Sequence, residues 1–120
     1  MAERRMFSKL VAHSEDFLTM SAAARLLYFD LGLGADDDGC VEPFWVMRMT
    51  DAPQEALNEL TERGFLVPLD RPNVYYIRDW RRNNQIRRDR YHPGLYKAMA
   101  ASVEKRLGIE TPDWQASGLG

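Results

Sequence analysis

The feature that most constrains the fold of this chain is a turn-forming tetrapeptide between two short apolar runs. The tetrapeptide Asp70-Arg71-Pro72-Asn73 separates residues 65–69 from residues 74–78. Proline, aspartate and asparagine favour turns, and two extended runs joined by so short a link pair with each other as antiparallel strands. The sequence therefore predicts one β-hairpin, which ends at Arg78.

Helix signals precede the hairpin. Ser14 and Ser21 are good N-caps, the first for a short helix that reaches Met20 and the second for a helix that ends near Leu33. In the second helix the apolar residues at i, i+3, i+4 and i+7 form one face. These residues are Ala24, Leu27, Tyr28 and Leu31. The run Asp36-Asp37-Asp38-Gly39 then predicts a polar turn, and Cys40-Val41 predicts a short strand.

Two more helices lie between that strand and the hairpin. Pro43 suits the first turn of the earlier helix. The side chains that this helix would bury are Phe44, Met47 and Trp45. Asp51, followed three residues later by Gln54, predicts a capping box at the start of the later helix, which ends at Gly64. The later helix would bury Ala56, Leu57 and Leu60.

The order of helix, short strand, helix, helix and hairpin predicts a winged helix-turn-helix. The predicted fold class is mainly α with a small β-hairpin (α+β). We expect a winged-helix domain over residues 1–78, a basic extension with a last helix over residues 79–107, and a flexible tail over residues 108–120. The residues expected to share one core are Leu27, Leu31, Leu57, Leu60 and Tyr76.

Length and composition are those of a small protein of a reducing compartment. The chain has 120 residues, about the size of one domain, and its single cysteine, Cys40, allows no internal disulfide. No apolar run approaches the roughly 20 residues that cross a bilayer, and no signal peptide is recognisable. We therefore expect a cytoplasmic protein without membrane contact.

Charge is divided unevenly along the chain. Residues 14–69 hold three basic residues against eleven acidic ones, whereas residues 71–106 hold ten basic residues against three acidic ones. A dense positive segment attracts polyanions even when the net charge is −2, as it is here. The second part of the chain is therefore the place to expect a polyanionic partner.

The basic segment, residues 78–91, carries six arginines beside two aromatic residues. The arginine fork matches phosphate geometry, neutralised phosphates release counterions, and aromatic rings stack on exposed bases. We predict a DNA-binding site made of Arg71, Arg78, Arg81, Arg82, Arg87, Arg88, Arg90, Trp80 and Tyr91, with Arg4, Arg5 and Lys9. The alternatives are pairing of these arginines with the acidic half of the same or a second chain, and binding of another anion.

The helix before the hairpin is acidic. It carries Asp51, Glu55, Glu59 and Glu62, with Arg63 as its one basic residue. The corresponding helix usually reads DNA in this fold, but here it would repel phosphates. We therefore expect DNA to be held through phosphates by the hairpin turn and the basic segment, with little base reading. The acidic helix could instead bind a protein.

Motifs for catalysis, metals and cofactors are missing from the sequence. The consecutive aspartates 36–38 lack the alternating spacing of a calcium loop. His13 and His92 stand in no ligand or triad spacing, and Cys40 is expected to be a buried core residue. There is no glycine-rich phosphate loop and no Gly-x-Ser-x-Gly elbow. We predict a protein that is not an enzyme and uses no metal or cofactor.

Five stretches of the chain are similar to those of a known family. They are Arg4-Arg5-Met6-Phe7-Ser8-Lys9, Phe17-Leu18-Thr19-Met20-Ser21, Leu27-Tyr28-Phe29, Ala35-Asp36-Asp37-Asp38-Gly39 and residues 80–91. As a set they resemble the phage-type replisome organiser or replication-initiation proteins, whose N-terminal winged-helix domain is akin to that of the primosomal DnaD proteins. The likeness spans about residues 4–107.

The resemblance implies a role in starting DNA replication on mobile genetic elements. It implies binding of origin DNA, self-assembly into a homo-oligomer, and help in recruiting a helicase loader. The alternative is a transcriptional or accessory regulator of the same fold, in which the domain mainly oligomerises or acts as a scaffold.

Overall fold

Serine caps begin the first three helices of the computed structural model, which describes residues 4–110. These helices are α1 (Lys9–Ala12), α2 (Glu15–Leu18) and α3 (Ala22–Gly34). Ser8, Ser14 and Ser21 have extended backbones, and each hydroxyl accepts a hydrogen bond from an N–H of the following turn. The two predicted helices are confirmed, and α1 adds a short turn before them.

The next two helices differ in detail from the prediction. After β1 (Cys40–Val41) come α4 (Pro43–Thr50) and α5 (Gln54–Glu62). The predicted capping box is wrong, because Asp51 caps the C-terminus of α4 with a left-handed backbone (φ 55°) and Pro53 precedes α5 without a side-chain cap. Aspartate is one of the few residues that tolerate this conformation.

The predicted buried face of α4 is right for Met47 and wrong for Phe44 and Trp45. Phe44 and Trp45 are 59% and 64% exposed. The inward face is formed by Pro43, Val46 and the half-buried Met47. These positions stand at i, i+3 and i+4 and therefore share one side of the helix.

The predicted hairpin is confirmed and belongs to a larger sheet. It consists of β2 (Leu66–Pro68) and β3 (Tyr75–Ile77). The strand β1 pairs with the free edge of β3, which gives a three-stranded antiparallel sheet in the order β1-β3-β2. In this register Tyr76 lies opposite Cys40 on one side and Val67 on the other.

One core joins the helices to the sheet. The five residues predicted to share it are all buried in it, and so is Cys40, as expected. The rings of Phe17 and Phe65 contact Tyr28 edge to face, with centroids 5.2 and 5.8 Å away. The fold is therefore mostly helical with a small antiparallel sheet, as the predicted α+β class requires.

The residues after the hairpin belong to the same core. They form α6 (Trp80–Asn83), a 3-10 helix (Arg88–Arg90) and α7 (Lys97–Leu107). Trp80, Tyr96, Ala100 and Val103 are buried with the residues of the sheet. The predicted last helix is confirmed and ends at Gly108 (φ 72°), whereas residues 111–120 of the predicted tail lie outside the described residues. Within residues 4–110, no helix is long and apolar enough to cross a membrane.

Candidate nucleic-acid interface

The first end of the basic segment is anchored by α6. Trp80 is 1% exposed, and its indole Nε1 donates to the Asp37 carbonyl at 3.0 Å. The side-chain oxygens of Asn83 and Asn84 accept the backbone N–H groups of Ser8 and Met6, each at 2.9 Å. The basic segment and the start of the chain are therefore fixed side by side.

The other end of the segment is held by two carboxylates of the turn before β1. Asp38 accepts hydrogen bonds from the Tyr91 hydroxyl at 2.5 Å and from the Gly94 N–H at 2.7 Å. Asp37 accepts the His92 N–H at 3.1 Å. We call Asp37 and Asp38 the aspartate clamp. The predicted turn is confirmed, but these two aspartates are 0% and 2% exposed and not solvated as expected of a polar turn.

Arg5 pairs with one of the two buried carboxylates of the clamp. The Arg5 guanidinium lies 3.1 Å from Asp37 Oδ1, donates to the Ala35 carbonyl at 2.7 Å and stands 5.0 Å above the Trp80 ring. Its side chain is 2% exposed. A buried carboxylate needs such a partner because burial without one is costly. Burial, the dominant effect, raises the pKa of the neighbouring Asp36.

Arg81 is also part of the structure of the domain. Its Nε lies 2.8 Å from Glu104 Oε2, with side-chain exposures of 15% and 2% for Arg81 and Glu104. The same carboxylate accepts the Tyr76 hydroxyl at 2.6 Å. Burial first, and this bond to Glu104 second, raise the pKa of Tyr76 well above its ordinary value. Sequence reasoning missed Glu104, which stands 23 residues from Arg81.

The predicted DNA-binding residues thus separate into three groups by their exposure. Arg5 and Trp80 are buried in the domain, so we no longer assign them to the interface; a buried ring cannot stack on a base. Half-buried residues with partners in the domain are Arg78, Arg81 and Tyr91. Exposed residues are Arg4, Lys9, Arg71, Arg82, Arg87, Arg88 and Arg90.

Four of the exposed residues lie on the anchored segment, and we call them the surface arginines. They are Arg82, Arg87, Arg88 and Arg90. The side chains of Arg82 and Arg87 are 68% and 73% exposed, and their carboxylate neighbours, Asp79 and Asp89, lie 3.9 and 3.3 Å away. The Arg87–Asp89 pair is exposed on both sides and the Arg82–Asp79 contact is long, so both pairs are weak and phosphates can displace them. Arg71 lies apart on the hairpin turn, with its guanidinium 5.7 Å from the Tyr96 ring.

A cleft of about 1100 Å³ lies between the start of the chain and the basic segment. Residues 4–6 line one side, and residues 84–87, 89, 90 and 92 line the other. Arg4 therefore shares this cleft with Arg87 and Arg90. The sequence suggested that the first residues contribute to binding. The hydrogen bonds that place them beside the basic segment, from the Met6 and Ser8 N–H groups to Asn84 and Asn83, join residues more than 70 positions apart.

The face formed by α4 and α5 exposes aromatic and apolar side chains. The rings of Phe44 and Trp45 meet edge to face with centroids 5.2 Å apart, and Met49 is 76% exposed. Phe44 also borders a groove of about 520 Å³ between α4, α5 and the hairpin.

Glu59 of α5 accepts the Ser21 N–H at 2.9 Å and its hydroxyl at 2.8 Å, and these bonds lower the pKa of Glu59.

Within residues 4–110 no group of three or more His, Cys, Asp or Glu side chains is placed to hold a metal ion. No protein-family model, curated protein or solved structure matches this chain.

Proposed function

We propose that this protein is a winged-helix DNA-binding protein that holds DNA mainly through phosphates. The helices α3, α4 and α5 with the sheet β1-β3-β2 follow the order expected of a winged helix. In that arrangement the β2–β3 turn, which carries Arg71, is the wing. The acidic α5 takes the position of the usual reading helix.

The surface arginines carry this proposal. They present four guanidinium groups within nine residues, on a segment that the aspartate clamp and the Asn83 and Asn84 bonds fix at both ends. A binding surface that is already ordered loses less conformational entropy when it binds. Guanidinium groups that reach phosphates supply affinity without sequence information.

The acidic helix supports the same placement of DNA. Asp51, Glu55 and Glu62 are exposed on or beside α5. Carboxylates repel phosphates, so DNA on this face would be disfavoured. The surface arginines, with Arg4 and Lys9 nearby and Arg71 on the wing, are therefore the phosphate contacts that we propose.

The resemblance noted above suggests the biological setting. Under that reading the protein binds origin DNA of a mobile genetic element, self-assembles and helps to recruit a helicase loader. A transcriptional or accessory regulator of the same fold would use the same phosphate contacts. Binding of a helicase loader to the protein–DNA complex would separate the two settings, because phosphate contacts alone do not distinguish origin fragments from unrelated DNA.

Fluorescence anisotropy with labelled DNA at several salt concentrations tests the proposal. If the four surface arginines each reach a phosphate, the logarithm of the affinity should fall with the logarithm of salt at a slope of about −3.6, and each of Arg4, Lys9 and Arg71 that also reaches one should steepen it by about 0.9. The double variant Arg88→Ala/Arg90→Ala should flatten the slope by about 1.8. A matched control is Arg48→Ala/Lys105→Ala, which removes the same charge elsewhere and should leave the slope nearly unchanged. Wild-type protein that gives no anisotropy change with any DNA at about 50 mM salt would end the DNA proposal.

A second candidate function, self-association, is favoured by the exposed aromatic pair on α4. Exposed apolar patches commonly mark protein interfaces. Phe44 lines the same groove as the acidic Asp51, so a second copy could dock its surface arginines there, with a guanidinium group over the aromatic pair. DNA and the second copy would then compete for the same arginines.

Analytical ultracentrifugation at low and high salt tests this second candidate. We expect a dimer at low salt that dissociates at high salt, and we expect Trp45→Ala to weaken it. A control, Leu10→Ala, removes a side chain that is 78% exposed on α1 and should leave the dimer intact. A monomer at both salts, at tens of micromolar, would rule self-association out.

A further inference from the structure

The cleft beside the surface arginines has an apolar floor. Met6 is 54% exposed, and Ile86 is half-buried against the core. Both residues line the cleft with Arg4, Arg87 and Arg90. A site that held phosphates alone would need only the cations, because apolar surface offers nothing to a phosphate. The floor therefore fits a ligand that has both an anionic part and a flat, weakly polar part.

The wall of the cleft contains a buried donor. Asn84 is 5% exposed, and its Oδ1 accepts the Met6 N–H at 2.9 Å. Its Nδ2 is buried and has no hydrogen-bond partner among the described residues. A buried donor without a partner destabilises a fold. A ligand oxygen or ring nitrogen that reached this Nδ2, after a small shift of the wall, would remove that cost.

An unpaired nucleotide meets these requirements together. Its phosphates suit the arginines, the face of its base suits the apolar floor, and its base edge carries acceptors for Asn84. In duplex DNA the bases are stacked and paired, so only the phosphates could enter. Single strands also have the lower charge density, so a site that used phosphates alone would gain nothing from them.

We propose that this cleft seats one unpaired nucleotide and that the protein prefers single-stranded to duplex DNA. This proposal rests on the proposed function, because it assigns a strand type to the same arginines. It also gives Asn84 a role in base contact that the phosphate contacts do not supply.

Anisotropy titrations with a labelled oligonucleotide, single-stranded and annealed to its complement, test the strand preference. We expect the wild type to bind the single strand about tenfold more tightly, the effect of satisfying roughly one buried donor. Equal or tighter binding of the duplex would overturn this inference and leave the phosphate proposal standing. Failure to bind either form would remove both.

Two variants test whether the preference for single-stranded DNA arises in the cleft. Asn84→Asp keeps the acceptor for Met6 and removes the donor, while Gln85→Glu adds the same charge at the next residue and keeps the donor. We expect the ratio of single-strand to duplex affinity to fall about tenfold in the first variant and to change little in the second. Equal ratios in the two variants would contradict the role of Asn84.

A third variant does not depend on the stability of the wall. Met6→Ser removes half-exposed apolar surface, so it should not unfold the domain, and its thermal denaturation checks this. We expect it to weaken single-strand binding severalfold and to leave duplex binding unchanged. The control is Leu10→Ser, outside the cleft. If Met6→Ser lowered the single-strand and duplex affinities equally, or changed neither of them, no base would lie on this floor and the inference would fail.

Discussion

Replacing Arg81 by methionine should destabilise the domain strongly while leaving DNA binding by the folded protein almost unchanged. Arg81 Nε lies 2.8 Å from a Glu104 carboxylate whose side chain is 2% exposed. The variant removes the guanidinium but keeps most of the apolar stem. Glu104 would keep its bond from Tyr76 and lose the charge that compensates its burial.

The expected cost follows from burial. Removing one member of a buried ion pair costs about 3–5 kcal/mol, because the remaining charge stays in the interior. Domains of this size have unfolding free energies of about 5–15 kcal/mol, so the loss is a large part of the total. At about 4 °C per kcal/mol, the melting temperature should fall by roughly 12–20 °C.

Urea denaturation followed by circular dichroism measures the loss. Arg82→Met is the matched control, because its side chain is 68% exposed and 3.9 Å from the nearest carboxylate. It should cost less than about 1 kcal/mol. The double variant Arg81→Met/Glu104→Leu should be more stable than Arg81→Met, since no unpaired charge remains buried. If Arg81→Met and Arg82→Met were equally stable, the buried-pair reasoning would be refuted.

Further expectations follow from single contacts. Leu57→Ala should lower the unfolding free energy by about 2–5 kcal/mol in urea titrations, and a loss near zero would place Leu57 outside the core. The hydrogen bonds from Ser21 lower the pKa of Glu59. The stability that these bonds contribute is therefore fully present above the unfolded-state pKa of Glu59 and is lost as the pH falls through its folded-state pKa. Glu59→Gln should be less stable than wild type at pH 7, and this difference should shrink in acid. Equal urea midpoints for the variant and the wild type at neutral pH would contradict this expectation. Burial raises the pKa of Cys40, so iodoacetamide should label this thiol slowly in the native protein and quickly in urea. Glu55→Ala should leave DNA affinity unchanged or increase it in anisotropy titrations, and weaker binding would place DNA on α5.

Much of the fold was predictable because its signals are local. Ser14 and Ser21 cap helices through hydrogen bonds to residues three positions ahead, and four consecutive residues form the hairpin turn. The burial of α4 was not predictable in this way. Its short apolar sequence offers several possible inward faces, and only packing against α3 selects the one centred on Val46.

The site was less predictable than the fold. Arg81 and Arg82 are neighbours with the same local sequence, yet Arg81 meets Glu104 and Arg82 faces solvent. The difference arises from the phase of α6 relative to α7, which no local pattern contains. Likewise, the Tyr91 hydroxyl and the His92 N–H that Asp38 and Asp37 accept lie more than 50 residues further along the chain.

The aspartate clamp also limits how the protein can be taken apart or recombined. A chain cut after Arg78 would lose Trp80, Tyr91 and the N–H groups of His92 and Gly94, so Asp37 would keep its ion pair with Arg5 while Asp38 would lose the hydrogen bonds from Tyr91 and Gly94. The basic segment is therefore not a removable module. A graft of residues 79–107 onto another scaffold would need the Asp-Asp-Gly turn as well.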